Sequence, residues 1–328
     1  MLMDFLFTVL GLGILVIGGE LTLRGAIGLA KLLGVSTAMI GLTVVAFGTS
    51  APELVVSLEA VIDGAPDIAI GNVVGSNIAN ILLVLGVGAL IAPLICDPGS
   101  VRRDGTAMMV AMAFLVGLGL LGAIQAWQGV LMLIALIAYV TWSYRLDQRN
   151  GAATAVADLH EREVEETTGV PTATWLVLLY VVIGLAALIG GAKLLVDGAI
   201  GVARAAGISE SVIGLSLVAV GTSLPELAAT AIAAWRRHTD VAVGNVLGSN
   251  LFNVLLILGT ASMVGPMPFA DEFVRVDLWV MMGAGVVLIP VMVTNWSISR
   301  REGALLLLLY AVYITSMGLG WGRAVPAI

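Results

Sequence analysis

Residues 41–86, GLTVVAFGTSAPELVVSLEAVIDGAPDIAIGNVVGSNIANILLVLG, return at 214–259 as GLSLVAVGTSLPELAATAIAAWRRHTDVAVGNVLGSNLFNVLLILG, without a gap and at a constant offset of 173. The copies agree at 24 of 46 positions, and GAIG at 25–28 recurs as GAIG at 198–201 on the same offset. A chain that repeats itself at half its length is a duplicated structural unit. The identities gather in two short polar motifs, GTSxPEL at 48–54 and 221–227 and GNxxGSNxxN at 71–80 and 244–253. Both motifs lie deep inside apolar runs, where polar side chains are costly.

The surrounding composition says what kind of chain carries them. Of its 328 residues 59% are apolar and 11% charged, against about a quarter charged in a soluble domain, and the mean hydropathy is +1.07 over the whole length. Nearly every segment needs an apolar environment, which the bilayer supplies. With 15 basic and 22 acidic residues the net charge is -7, and no basic face exists to neutralise nucleic-acid phosphates. Cys96 is the single cysteine, so no internal disulfide or thiolate cluster can form, and His160 and His238 are too few for a zinc or haem site. The chemistry is left to oxygen atoms.

Each membrane-spanning helix uses about 20 apolar residues, and the apolar runs predict ten: 3–24, 37–62, 67–92, 105–123, 126–145, 172–196, 209–235, 240–264, 277–294 and 303–321. The first run lacks the basic start and small-residue cleavage site of a removable signal and reads as a span. Residues 146–171 carry Asp147, Asp158, Glu161, Glu163, Glu165 and Glu166 and read as a solvated acidic linker between a first five-helix repeat, 1–145, and a second, 172–328. The fold class expected is all-α and polytopic. Alternating the connections between two sides puts eleven basic residues on one (Arg24, Lys31, Arg102, Arg103, Arg145, Arg149, Arg162, Arg236, Arg237, Arg300, Arg301) and four on the other (Lys193, Arg204, Arg275, Arg323). The positive-inside rule then places the linker in the cytoplasm and both termini outside.

Five is an odd number, so the second copy enters the membrane from the opposite side. The expectation is a pair of inverted repeats, an architecture recurrent in secondary transporters, with a binding site at the midplane between the copies. There Glu53 and Glu226 stand near the middle of the second and seventh spans, with no lysine or arginine in the middle of any repeat span. An unpaired carboxylate at that depth costs roughly 3 kcal/mol, so a cation must visit or a proton must stay. Pro52 and Pro225, beside Gly48 and Gly221, should break or kink their helices at this level and free backbone carbonyls. Thr49 lies one turn before Glu53 with Ser50 next to it, and Asn72, Ser76 and Asn80 form a polar stripe that Asn245, Ser249 and Asn253 repeat. Carboxylate, hydroxyl, amide and carbonyl oxygens are hard donors that suit sodium, calcium or magnesium. Two carboxylates balance one divalent ion or a few monovalent ones, which predicts mutual exclusion. Gly71 with Gly75, and Gly244 with Gly248, have the small-xxx-small spacing of close helix packing.

The doubled GTSxPE and GNxxGSNxxN motifs resemble those of the sodium/calcium exchangers of the calcium/cation antiporter superfamily, in their compact prokaryotic form. The resemblance implies that Thr49, Ser50, Glu53, Ser76 and Asn80, with Thr222, Ser223, Glu226, Ser249 and Asn253, line the ion sites, with carbonyl ligands at Ala46 and Ala219. It implies calcium and sodium as transported ions, no cofactor, no obligate protein partner and a home in the inner membrane. It also implies that the first and sixth spans slide past the other helices. Some prokaryotic members carry aspartate where this chain has Asn253, and the large cytoplasmic calcium-sensing region of animal exchangers has no counterpart in 146–171.

Other readings of the same residues are a calcium/proton antiporter using both glutamates, a channel, and an intramembrane protease. The protease lacks a base near Ser50 or Ser223. Inverted duplication favours alternating access over a channel, and the hydroxyl-rich GTS segments resemble the sodium-coupled branch. Glu59 aligns with Ile232 and reads as structural or vestibular, His238 as an exposed loop residue, and Cys96 as an ordinary apolar one.

Overall fold

The computed structural model describes residues 2–149, 169–205 and 221–319. In chain order its helices are α1 (Leu2–Leu33), α2 (Thr37–Thr49), α3 (Ala51–Ile62), α4 (Pro66–Ile91), α5 (Pro98–Leu120), α6 (Ala126–Arg149), α7 (Thr174–Ala205), α8 (Leu224–Trp235), α9 (Thr239–Val264), α10 (Phe273–Trp296) and α11 (Arg300–Gly318). Seven of them are long and apolar enough to cross a bilayer alone, and α2 with α3 makes an eighth crossing, bent by 43°. Helix α8 is the described part of the expected seventh span, and α11 stands where the tenth was expected. Length and composition single out seven or eight spans among the described residues, where ten were expected over the whole chain.

Helix α1 outruns its expected bound because charge is neutralised within it. Helix α1 continues past residue 24 to Leu33: Arg24 is paired with Glu20, one turn earlier, at 2.7 Å, and Lys31 lies in the last turn, where the helix dipole favours a cation. Helix α2 starts where Ser36 caps it by accepting from the Met39 N–H, and Asp147 at the end of α6 in turn holds the Ser36 N–H at 2.7 Å and its hydroxyl at 3.0 Å. Ser299 and Glu302 form a capping box on α11.

Four two-residue strands, a departure from a purely helical fold, prove the inversion. They are β1 (Leu94–Ile95) after α4, β2 (Ala123–Ile124) after α5, β3 (Met267–Pro268) after α9 and β4 (Ser297–Ile298) after α10. β1 and β2 cap opposite ends of α5, and β3 and β4 cap opposite ends of α10. On the 173 offset β1 corresponds to β3, so parallel repeats would put them at the same end. Instead β1 pairs antiparallel with β4, and β2 with β3. Corresponding loops therefore lie at opposite ends of the bundle. The repeats also duplicate an internal brace: Tyr139 donates to Asp104 at 2.5 Å and Tyr313 to Asp277 at 3.1 Å, joining α5 to α6 and α10 to α11.

The bundle has a dense centre and a more exposed edge. The apolar stretch of α9 is 94% buried and that of α4 72%, against 33% for both α1 and α7. Those two outer helices run antiparallel along each other on a glycine seam that the sequence reading missed. Gly11, Gly18 and Gly25 abut the backbone of Leu195, Leu188 and Val181, while Gly184, Gly191 and Gly198 abut that of Thr22, Leu15 and Thr8. A Cβ at Gly18 would stand 2.7 Å from the Leu188 nitrogen, so only glycine permits the approach. Each set steps by seven residues, and the offset of 173 carries one set onto the other. The signal was legible as a duplicated glycine heptad.

The packing reading of the motif glycines holds for the second copy. A Cβ at Gly244 would lie 2.5 Å from the Ala38 carbonyl oxygen, and Gly248 leaves no room beside the Leu42 carbonyl, so α9 rests backbone to backbone on α2. One expectation is overturned. His238 is 1% exposed, because Arg237 adopts a left-handed φ of 65° and folds the next residue back. The His238 N–H then donates to the Ala233 carbonyl at 2.9 Å. Cys96 is buried, as expected.

Candidate ion-binding site

Both breaks come from the same local chemistry. Ser50 sits at φ −84°, ψ 5° between α2 and α3, and Ser223 at φ −86°, ψ 6° before α8. Pro52 and Pro225 lie in the first turn beyond, where the missing N–H costs nothing. The break places Glu53 and Glu226 in the first turn of a helix rather than in its interior. Their carboxylates thus face the positive end of a helix dipole, a stabilisation that a kink alone would not give.

The two halves meet at these turns. The Ser50 hydroxyl donates to Glu226 Oε1 at 3.0 Å, and the Ser223 and Ser76 hydroxyls lie 3.5 Å apart, so each break faces the other repeat. Thr49, Ser50, Glu53, Ser76 and Asn80, and Ser223, Glu226, Ser249 and Asn253, are all buried. Thr222 is half-buried in its turn, and Ala219 lies outside the described residues. The Ala46 carbonyl accepts from the Thr49 hydroxyl at 3.3 Å and from the Ser50 N–H at 3.0 Å, which uses both its lone pairs in this conformation. Glu59 is exposed.

The polar stripe divides into braces and site groups. Asn72 donates to the Ser57 hydroxyl at 3.0 Å and to the Glu53 carbonyl at 3.2 Å, and Asn245 donates to the Thr230 hydroxyl at 3.1 Å. These matched bonds tie α4 to α3 and α9 to α8. Asn245 also accepts from Thr49 at 3.3 Å, a link between the repeats. Further along, π-turns at Asn80–Val84 and Asn253–Leu258 begin on the last asparagine of each motif, where a π-bulge re-aims the helix face. Here the symmetry is broken: Asn253 donates to Asn77 at 3.1 Å, whereas the mirror pair, Asn80 and Asn250, is not joined.

Several buried polar atoms are left without a hydrogen-bond partner: Glu53 Oε2, Glu226 Oε2, both amide atoms of Asn80, Asn253 Oδ1 and Ser249 Oγ. Buried polar groups are otherwise nearly always satisfied. Five of these six atoms are oxygens, drawn from both repeats, and no cluster of three histidine, cysteine or acidic side chains occurs among the described residues. The donor set fits a hard cation as cargo, not a resident transition metal.

The model of the sodium/calcium exchanger protein family matches the chain twice, at residues 3–145 and 176–318. The chain belongs to the sodium/calcium exchanger family. It is 34% identical over 340 residues to the sodium/calcium exchanger MaX1 of Methanosarcina acetivorans, covering 95% of this chain and 97% of that one. It is 35% identical over 324 residues to the putative antiporter CaxA of Alkalimonas amylolytica, covering 95% and 98%. Among solved structures it is similar to the sodium-calcium exchanger NCX_Mj, at 33% identity and a TM-score of 0.81, covering 96% of this chain and 99% of that one. Members of this family are multi-pass membrane transporters, not enzymes, and their substrates are cations.

Proposed function

We propose that this exchanger moves calcium against sodium by alternating access, at a midplane site built from Thr49, Ser50, Glu53, Ser76 and Asn80 and their counterparts Thr222, Ser223, Glu226, Ser249 and Asn253. The observation that carries the reading is the set of unpartnered buried oxygens around two carboxylates. Two negative charges are neutralised by one calcium ion or by sodium ions, and both cannot occupy the same oxygens together. In the conformation described, the Ala46 carbonyl joins the ligand set only if the Thr49 hydroxyl turns away from it; Ala219 is its counterpart in the second copy. The bias of basic residues supports an inner-membrane orientation with both termini outside and the acidic linker, 146–171, cytoplasmic between repeats 1–145 and 172–328. The substrates are calcium and sodium ions, and no cofactor or protein partner is required.

The test is calcium uptake into reconstituted vesicles under an outward sodium gradient, compared with a pH gradient alone. Sodium-driven, saturable uptake is expected. Uptake driven by protons and indifferent to sodium would replace this reading with calcium/proton antiport at the same glutamates.

Asn253→Asp probes the charge balance. It removes the amide that Asn77 accepts from and adds a third carboxylate to the site, which must be neutralised by a proton or another cation. Calcium exchange is expected to slow by about tenfold, a penalty of ~1.4 kcal/mol, and to become pH dependent across the neutral range. Unchanged flux with the parent's pH profile would remove Asn253 from the site.

A further inference from the structure

Glu20 of α1 is shared by two guanidinium groups, Arg24 at 2.7 Å and Arg236, just past the end of α8, at 2.8 Å. The second contact joins α1 to α8 along a closed seam. A Cβ at Gly19 would stand 2.8 Å from the Ile232 side chain, and Ala229 and Ala233 of α8 are buried.

On the 173 offset α1 corresponds to α7 and α8 to α3, and the counterparts of Glu20 and Arg236 are Lys193 and Asp63. These too are of opposite charge, with the polarity reversed. Both positions have changed residue type between the copies, yet complementarity has survived. Among the described residues Lys193 and Asp63 form no ion pair, and both are exposed. Their seam is open: Val55 and Val56 of α3 are 53% and 37% exposed, whereas Ala229, which corresponds to Val56, is 7% exposed. Because the repeats are inverted, the two seams face opposite ends of the bundle. One is shut and the other is not.

We propose that Glu20–Arg236 and Lys193–Asp63 are alternating latches, one closed in each of the two access states. The glycine seam welds α1 to α7, so motion that lifts α1 off α8 carries α7 towards α3, opening one latch as the other closes. The inference rests on the alternating-access reading above. Arg236 is about half exposed, and a pair of that kind is worth about 0.2–1 kcal/mol. Each latch therefore biases the ratio of states by up to about fivefold without locking either, as a transporter that must cross between them requires.

The test uses two cysteine pairs, Glu20→Cys with Arg236→Cys and Lys193→Cys with Asp63→Cys, joined in membrane vesicles by a short reducible bis-thiosulfonate linker. The native Cys96 is buried and stays in place. Both pairs are expected to cross-link, although the second stands apart here, and each cross-link should arrest exchange until it is reduced. Adding Arg236→Gln to the second pair should raise its cross-linked fraction about two- to fivefold at low salt, and high salt should erase the gain. If the second pair never cross-links in vesicles that still exchange ions, the latch is wrong and antiport stands; absence of sodium-driven exchange in the parent protein would overturn antiport itself. Should the second cysteine pair fail to assemble, charge exchange decides. Asp63→Lys combined with Lys193→Asp must restore the exchange rate and salt dependence that Lys193→Asp alone alters, and failure to restore them overturns the proposal.

Discussion

Glu53→Gln or Glu226→Gln is expected to abolish the proposed calcium exchange in a protein that still folds. Each glutamate is buried at the first turn of a helix, with one carboxylate oxygen unpartnered and no basic side chain hydrogen-bonded to it. The cost of keeping such a charge at membrane depth, roughly 3 kcal/mol, is offset when a cation binds. Replacing it with the neutral isostere removes that attraction, and 3 kcal/mol corresponds to more than about a hundredfold in affinity. Folding is not harmed, because an uncompensated buried charge is removed rather than created. Sodium-driven calcium flux should fall to the level of empty vesicles, while the unfolding midpoint in ion-free detergent stays level or rises. Exchange at the parental rate in either variant would remove that glutamate from the mechanism. Glu59→Gln, at an exposed position, is the control and should leave flux close to normal.

Gly248→Ala should do to stability what the glutamate variants do to transport. Helix α9 lies against α2 at this point with the Leu42 carbonyl and the Ala46 Cβ where a methyl group would go. The obstacle is backbone, so no side chain can turn aside, and overpacking of a buried contact costs about 1–3 kcal/mol or more. The separation that relieves the clash would also draw Asn245 away from Thr49, which α9 and α2 supply from opposite repeats. A drop in unfolding midpoint of several degrees, with loss of exchange, is the expected result. Gly283→Ala, where a Cβ meets open space and the position is exposed, should change neither. Equal midpoints for the two variants would show that α9 and α2 do not depend on this contact.

Much of the candidate site was legible in the sequence, for a physical reason. Polar residues are expensive inside a membrane, so GTSxPEL and GNxxGSNxxN stood out against their apolar surroundings, and repetition at one offset marked both as structural equivalents. The helix breaks followed from Pro52 and Pro225. The division of labour along the stripe did not: Asn72 and Asn245 share the spacing of Ser76 and Asn80, yet their amides are spent on Ser57 and Thr230. The burial of His238 was equally hidden, because it depends on a left-handed turn at Arg237 rather than on local polarity. The α1–α7 glycine seam was present as a seven-residue period, but a period shows only that a face exists, not what it meets.

By itself the sequence determined the membrane environment, the duplication, the two carboxylates and the oxygen character of the site, since each is a property of residue type and spacing along one dimension. The odd number of spans expected in each repeat already required inversion, and the crossed pairing of β1 with β4 and β2 with β3 then showed it. Only the tertiary structure decided that Ser50 of one repeat holds Glu226 of the other, that Asn253 is bonded while Asn80 is not, and that α1 is seated on α8 while α3 is left open. Those are choices between symmetry-equivalent contacts. A sequence with two related halves makes both alternatives available, and which of them forms is decided by packing in three dimensions.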